Sequence, residues 1–223
     1  MTRKLLFTAA IIFTSLFFGA TGASAQTDDP PKVEVGVQFS SLTVRPGGQF
    51  GWSETEPGFG GRITYNFNRN VAVEAEGNFF PGESPRTTTT GGRAFQGQFG
   101  VKAGKRFEKF GVFAKIRPGF IRFNDVLNIT GVEVLEFEGE RFIIPQFTTP
   151  SRTYFSTDVG GVLEFYPSRR IVTRIDIGDT IIRFGSRREF SPIFPPPAGQ
   201  EIITRPAETT HNFQFSAGIG FRF

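Results

Sequence analysis

The chain of 223 residues has no cysteine and only one histidine, one methionine and one tryptophan. Without cysteine there is no disulfide scaffold, no thiolate metal centre and no cysteine nucleophile. A single imidazole does not furnish the several ligands of a zinc hydrolase. Beyond residue 25 no run approaches 18 consecutive apolar residues, so no helix there is apolar enough to span a bilayer. No lysine-arginine stripe marks a nucleic-acid surface either.

What the sequence has in quantity is phenylalanine and glycine, 29 and 27 residues, within a chain that is 38% hydrophobic and 21% charged. Many aromatics and glycines with few leucines point to β-structure with wide polar loops, not to a helical core.

Residues 1–25 read as an export signal. Arg3 and Lys4 precede an apolar run from Leu5 to Phe18, and Ala23-Ser24-Ala25 supplies small residues for cleavage before Gln26. The competing reading, a transmembrane helix, needs roughly 20 apolar residues and finds about 14. Removing 25 of the 223 residues leaves 198, and losing Arg3 and Lys4 leaves 23 basic against 21 acidic residues, a net +2. The formal +4 of the whole chain is therefore largely a property of the signal.

Residues 26–32 form a short N-terminal segment, and from residue 33 a period of two recurs eight times. The segments are Val33–Leu42, Gly58–Phe67, Val71–Phe80, Arg93–Gly104, Phe110–Ile121, Thr153–Tyr166, Arg170–Ile182 and Thr210–Phe223. Each sets apolar residues on one parity against polar, charged or glycine residues on the other. The connections alternate: long at 43–57, 81–92, 122–152 and 183–209, short at 67–70, 105–109 and 167–169. Pro46-Gly47-Gly48, Pro81-Gly82, Gly91-Gly92 and Pro195-Pro196-Pro197 mark the long ones as loops. Tilted strands of about 9–11 residues cross a bilayer, with short turns on the periplasmic rim and long loops outside. The pattern predicts a single all-β domain over 33–223, an eight-stranded antiparallel up-and-down transmembrane β-barrel with both termini periplasmic.

The two faces are assigned by what can surround them. The phenylalanine parity suits lipid, where every backbone N–H and C=O must be paired and the sheet must close. With three tyrosines and one tryptophan (Trp52), phenylalanine takes over much of the aromatic girdle. The other parity carries Glu34, Arg62, Glu74, Glu76, Lys102, Lys115, Arg117, Asp158, Glu164, Arg174, Asp176 and Arg222 among glycines, six charges of each sign. A selective pore shows an excess of one sign, whereas balance inside a barrel just wide enough for side chains points to mutual neutralisation. The expectation is a lumen filled by an ionic network, with Glu74, Glu76, Lys115, Arg117, Asp158, Arg174 and Asp176 near mid-height. Replacing Arg117 and Arg174 by alanine is then expected to raise conductance.

The chain ends on Phe223, with Phe221, Ile219, Ala217 and Phe215 at alternate positions before it. This resembles the C-terminal signal read by the outer-membrane assembly machinery; an edge strand ending there by accident is the alternative. The stretch from Gly58 to Phe80 (GFGGRITYNFNRNVAVEAEGNFF), with Arg174-Ile-Asp-Ile-Gly-Asp179 and the closing phenylalanine, is similar to the OmpA-like outer-membrane β-barrel family. The resemblance covers about residues 33–223 and lacks the peptidoglycan-binding domain that some relatives carry. It implies a barrel domain in the outer membrane, in contact with lipid and lipopolysaccharide and monomeric, with no cofactor.

Catalysis was weighed against three features. Some eight-stranded outer-membrane barrels act on lipid A with serine and histidine, but His211 falls on the lipid parity, followed there by Phe213, while Ser216 points inward. His211 reads instead as a girdle or rim residue. The paired carboxylates Glu74 and Glu76 face basic residues on neighbouring strands and read as ion pairs. Glu133, Glu136, Glu138 and Glu140 offer a calcium reading beside that of a solvated acidic loop. The reading reached is a non-enzymatic barrel with a structural or surface-interaction role through its extracellular loops, its loop partner unnamed. The competing readings are a small low-conductance porin or a carrier of small hydrophobic molecules and, more remotely, a lipid-modifying barrel enzyme.

Overall fold

A computed structural model describes residues 30–45, 53–137, 140–190 and 202–223. The signal residues with Ala23, Ala25 and Gln26 lie outside the described residues, as do Trp52, Pro46–Gly48, Glu138 and Pro195–Pro197.

Period-two patterning gives strands wherever it was read, and turn chemistry sets where they reverse. In the first short turn Asn68 Oδ1 accepts the backbone N–H groups of Asn70 at 2.8 Å and Val71 at 2.9 Å. In the third, Ser168 Oγ accepts those of Arg170 at 3.3 Å and Ile171 at 3.1 Å. In both, a short polar side chain replaces the ladder partner that the reversing backbone has lost.

Among the described residues there are twelve strands: β1 (Val33–Val44), β2 (Glu54–Asn66), β3 (Val71–Ser84), β4 (Gly92–Arg106), β5 (Phe110–Phe123), β6 (Asn128–Phe137), β7 (Glu140–Thr148), β8 (Arg152–Phe165), β9 (Ile171–Phe184), β10 (Arg187–Phe190), β11 (Ile202–Arg205) and β12 (Glu208–Arg222). Eight of them close a barrel in the order β1-β12-β9-β8-β5-β4-β3-β2. The closing seam pairs β1 with β12 from Glu34↔Arg222 to Thr43↔Phe213. The β6–β7 and β10–β11 pairs are separate two-stranded hairpins built from the third and fourth long loops. They were not expected from the sequence, because Phe, Ile and Val mix there with Glu and Pro and no single parity is apolar.

The parity of the faces is as the alternation requires. The outward phenylalanines Phe39, Phe59 and Phe95 are exposed and Phe79 is half-buried, and Phe39↔Phe59↔Phe79↔Phe95 run in register across β1–β4. Several boundaries differ from the sequence reading: β4 runs on to Arg106, β5 to Phe123 and β9 to Phe184, and β12 begins at Glu208. β1 and β2 extend to Val44↔Glu54. β3 runs through Pro81-Gly82 to Ser84, with a register irregularity between Phe80 and Ser84. Pro81 lies near the strand end and faces out, where such an irregularity absorbs the lost N–H.

One interruption lies within the wall. β4 pairs with β5 through Gln98↔Gly119 and again from Val101↔Ile116, but not at Phe99 and Gly100. The register puts Pro118 opposite Phe99, and proline has no N–H to give that carbonyl. Gly100 keeps the strands close here: a Cβ on it would lie 2.0 Å from the Ile116 carbonyl oxygen and 2.6 Å from Arg117 Cα. Gly100→Val is expected to prevent closure of this seam and abolish the heat-modifiable gel shift of the folded barrel. Gly185→Ala, with nothing within 4 Å of its Cβ, should leave that shift unchanged.

Candidate functional site

The interior of the barrel is filled in tiers. At the short-turn end, Glu34 meets Arg222 at 3.2 Å and Arg106 at 3.5 Å, and Asn66 donates to it at 3.0 Å. Arg106 also approaches Glu164 at 3.3 Å and donates to the Tyr166 hydroxyl at 2.9 Å, which in turn donates to Glu164 at 2.8 Å. The sequence reading placed Arg106 in a turn; it is the last residue of β4, inward and buried. Its positive charge is additional to the balanced set of twelve. It lies 5.3 Å from the Tyr166 ring centroid and 5.6 Å from that of Phe113, cation–π contacts that help to offset it.

Above this lies the ionic lattice, in which the other ten of the twelve inward charges read from the sequence (all but Glu34 and Arg222) are buried and ion-paired. Lys102 pairs with Glu164 and, at 3.3 Å, with Glu74. Arg174 holds Glu74 with both Nη atoms and reaches Asp176 at 2.7 Å. Arg117 pairs with Glu76 and, at 2.5 Å, with Asp158. Lys115 bridges Asp158 at 2.7 Å and Asp176 at 3.3 Å, and Arg62 stands 3.7 Å from Asp176. Every carboxylate among the ten answers at least one cation, and several answer two or three. Sharing of this kind is how a charge is kept in a narrow, water-poor interior without a large desolvation deficit.

The third tier is neutral. Gln38 and Ser40 bond Asn78, each at 2.9 Å; Asn78 bonds Gln96 at 3.0 Å, Gln96 bonds Gln214 at 3.0 Å, and Thr180 donates to Gln214 at 2.5 Å. The fourth tier, toward the long loops, is apolar: Leu42, Val44, Phe80, Ala94, Ile121, Phe123, Val126, Tyr154, Ile182 and Phe184 form one buried cluster. Tyr154 meets Phe184 edge-on at 4.8 Å between centroids. The sequence reading gave phenylalanine to the outside alone; Phe80, Phe113, Phe123 and Phe184 are inside. The signal was available in part, because Phe80, Phe123 and Phe184 share the parity of the inward charges on their own strands.

The rim continues this seal. Arg187 holds Glu189 at 2.7 Å and Glu208 at 3.0 Å, Arg205 reaches Glu189 at 2.7 Å, and Thr88 of the second loop donates to Glu189 at 2.9 Å. Burial alone would raise the Glu189 carboxyl, but hydrogen bonds from Arg187, Arg205 and Thr88 overcome it and hold the group below its ordinary 4.5.

The remaining candidates are dispersed. His211 is exposed on the outer face with its Nδ1 2.6 Å from Asp179 Oδ2, while Ser216 points inward to Ser40 at 2.9 Å. Glu133 and Glu136 are exposed on β6, and no group of three or more acidic or histidine side chains among the described residues is placed to hold a metal. Phe215, Ala217, Ile219, Phe221 and Phe223 all face outward, and the Phe223 N–H donates to the Val33 carbonyl at 2.8 Å.

The sequence profile of the outer membrane protein beta-barrel domain matches residues 11–223. No curated relative matches the sequence. The solved structures similar in shape include the following three. The N-terminal beta-barrel domain of OprF from Pseudomonas aeruginosa is 10% identical, with a TM-score of 0.43 over 88% of this chain and 100% of that one. Neisserial surface protein A is 11% identical, with a TM-score of 0.48 over 86% and 97%. Ail, the attachment invasion locus protein of Yersinia pestis, is 14% identical, with a TM-score of 0.43 over 88% and 100%. Likenesses at this level say nothing of what the present chain binds or does.

Two barriers in series change what mutation of the lattice should do. Arg117→Ala with Arg174→Ala strands buried carboxylates and should destabilise the barrel by about 3–5 kcal/mol per broken pair. Conductance in planar bilayers should stay at the wild-type level, because the apolar tier still closes the lumen. Adding Phe123→Ala and Phe184→Ala should raise it; conduction by the arginine variant alone would show that the apolar tier is no seal.

The rim should respond to acid. A carboxyl held below its ordinary value contributes stability that is present above that value and lost as the pH falls through the lowered one. Amide protection of β10 and β11 should therefore drop as the pH is taken below 4.5. In Glu189→Gln the pH dependence of that protection should flatten, as hydrogen exchange would read.

Proposed function

The chain belongs to the outer membrane protein beta-barrel family, and from that premise we propose that it is a sealed, non-enzymatic barrel acting through the structures on its long-loop rim. Residues 1–25 direct export and are removed before Gln26, the termini and short turns face the periplasm, and the long loops face outward. The alternate residues from Phe215 to Phe223 present the assembly machinery with its recognition strand.

The observation that carries this reading is the β6–β7 hairpin. It stands apart from the barrel sheet, yet exposes Leu135, Phe142, Ile144 and Phe147, each at 43–57% of full exposure. Leu135↔Phe142 and Glu133↔Ile144 are cross-strand pairs, so Leu135, Phe142 and Ile144 share one face with Glu133 at its edge. Apolar side chains grouped on a ribbon beyond the membrane wall, rimmed by charge, have the make-up of a contact surface. The β6–β7 hairpin is braced from its base: Arg188 on β10 donates to the Thr130 carbonyl at 3.4 Å, and Arg152 donates to Asn128 at 2.6 Å. A filled lumen favours a pedestal over a conduit. His211 and Ser216, on opposite faces of one strand, favour a scaffold over a serine-dependent enzyme.

Phe142→Ser with Ile144→Ser should leave the barrel folded and heat-modifiable but reduce retention of expressing cells on protein-coated surfaces several-fold. Deleting residues 131–146 should do the same. Because the chain has no cysteine, Ile144→Cys should be labelled by an impermeant maleimide on intact cells, and Asn68→Cys should not. Undiminished retention after loop deletion would refute the surface role.

A further inference from the structure

The outer face of the wall carries a feature that the filled lumen and the hairpin do not use. Toward the long-loop end of β5, Arg122 lies directly across from Phe95 on β4 and Thr153 on β8. On β9, Arg183 lies across from Phe155 on β8. Both arginines are outward and exposed, and neither side chain has an ion pair or hydrogen bond among the described residues. Arg93 on β4 shares the outward parity and is likewise exposed. A groove of about 530 Å³ opens beside them, lined by Arg152, Thr153, Phe155, Arg183 and Gly185.

Most of this charge lies on one side. On the strands completing the circle, the described outward residues near the same rim are Thr209, Thr43, Thr55, Pro57 and Pro81, with Glu83, His211 and a single arginine, Arg45. Asp125, on the basic side, is 3.9 Å from Arg86. Each of the two free guanidiniums has an exposed phenylalanine as its same-face neighbour, Phe95 for Arg122 and Phe155 for Arg183, and Phe120 lies across from Phe155. Cations thus stand directly over an aromatic apolar band, at the level where hydrocarbon gives way to headgroups.

We infer that Arg122 and Arg183, with Arg93 on the neighbouring strand, bind the phosphates of a membrane lipid whose acyl chains lie on Phe95, Phe120 and Phe155. A soluble anion would need the guanidiniums and not the phenylalanines beneath them; the pairing of the two selects an amphiphile. Arg122 and Arg183 stand two strands apart, about 10 Å in the hydrogen-bonding direction at the usual strand spacing. That separation suits a headgroup with more than one phosphate, such as a bis-phosphorylated glycolipid, and arginine grips such oxygens bidentately. Placing this lipid in the outer leaflet rests on the orientation proposed above.

The test uses the folded chain in phosphatidylcholine nanodiscs doped with bis-phosphorylated lipid A, with lipid retained after detergent extraction counted by native mass spectrometry. A nanodisc offers lipid to both rims, so the result does not depend on orientation in the cell, which the cysteine labelling settles separately. Wild-type barrels should retain lipid A, and Arg122→Gln/Arg183→Gln should retain at least ten-fold less. Arg122→Lys/Arg183→Lys should recover part of the loss, and Lys105→Gln/Lys109→Gln at the opposite rim should have no effect. Millimolar inorganic phosphate should not displace the lipid. Equal retention by the heat-modifiable Gln variant, equal retention of dephosphorylated lipid A, or displacement by inorganic phosphate would each overturn the assignment.

Discussion

A strand buried in hydrocarbon has no water to satisfy its backbone, and everything else in this molecule follows from the need to pair it internally. Eight strands meet that need by joining β1 to β12 in a register unbroken from Glu34↔Arg222 to Thr43↔Phe213. Closure at eight strands then fixes an interior about one side chain deep on each side. The alternation that sends phenylalanine outward sends its neighbours inward, so whatever sits at those positions must fit and must find partners for its charge. Pro118 shows how strictly the rule is kept elsewhere: the ladder breaks at Phe99 and Gly100, opposite Pro118 and Arg117, and resumes one pair later in the same register.

The filling of the lumen is graded, and the grading has a reason. Charges in the middle are multiply shared: Glu74 is within 4 Å of Lys102, Arg117 and Arg174, and Asp176 within 4 Å of Arg62, Lys115, Arg117 and Arg174. A lattice of that kind gains from exclusion of water, which otherwise screens each pair. The amide tier and the cluster around Phe123 and Phe184 lie between the lattice and the long-loop mouth. Phe113, Val162 and Val172 are buried toward the other end, where Lys102 stands 4.8 Å from the Phe113 ring. Polar chemistry through the centre and the short-turn end, capped by apolar packing toward the long-loop mouth, is the reverse of a soluble domain, and the same burial physics produces it once the outer surface belongs to lipid.

Parity carried most of this into the sequence. Because a strand has period two, Glu74 and Glu76 had to share a face with Arg117 or Asp158 once any register closed the barrel, and no three-dimensional detail was needed to gather them. What parity does not carry is height. Arg106 was lost to a turn because the strand continues two pairs beyond Gly104, where its alternation ends. Phe80, Phe123 and Phe184 sat on the charged parity, yet their type argued for lipid; only the distance from the short turns separates an inward plug from an outward coat. Pro81-Gly82 read as a breaker because a proline at a tolerant outward strand end looks the same in sequence as one in a loop. The β6–β7 and β10–β11 hairpins were invisible for a different reason. Outside the membrane neither face of a ribbon must be uniformly apolar, so the alternation on which the reading relied is absent.

That last difference also locates what is free to vary in function. Within the wall, each position answers to lipid, to a partner charge or to a backbone contact as close as that at Gly100. Above the wall, Phe142, Ile144 and Phe147 answer to none of these: their exposure costs solvation and the barrel does not need them. The same holds for Arg122 and Arg183, whose charges serve no ion pair among the described residues although five carboxylates are engaged within the lattice. Side chains that a closed barrel neither requires nor neutralises are those on which the proposed contacts rest, and here they divide by chemistry: an apolar ribbon that stands apart from the barrel sheet, and outward arginines at the rim of the wall.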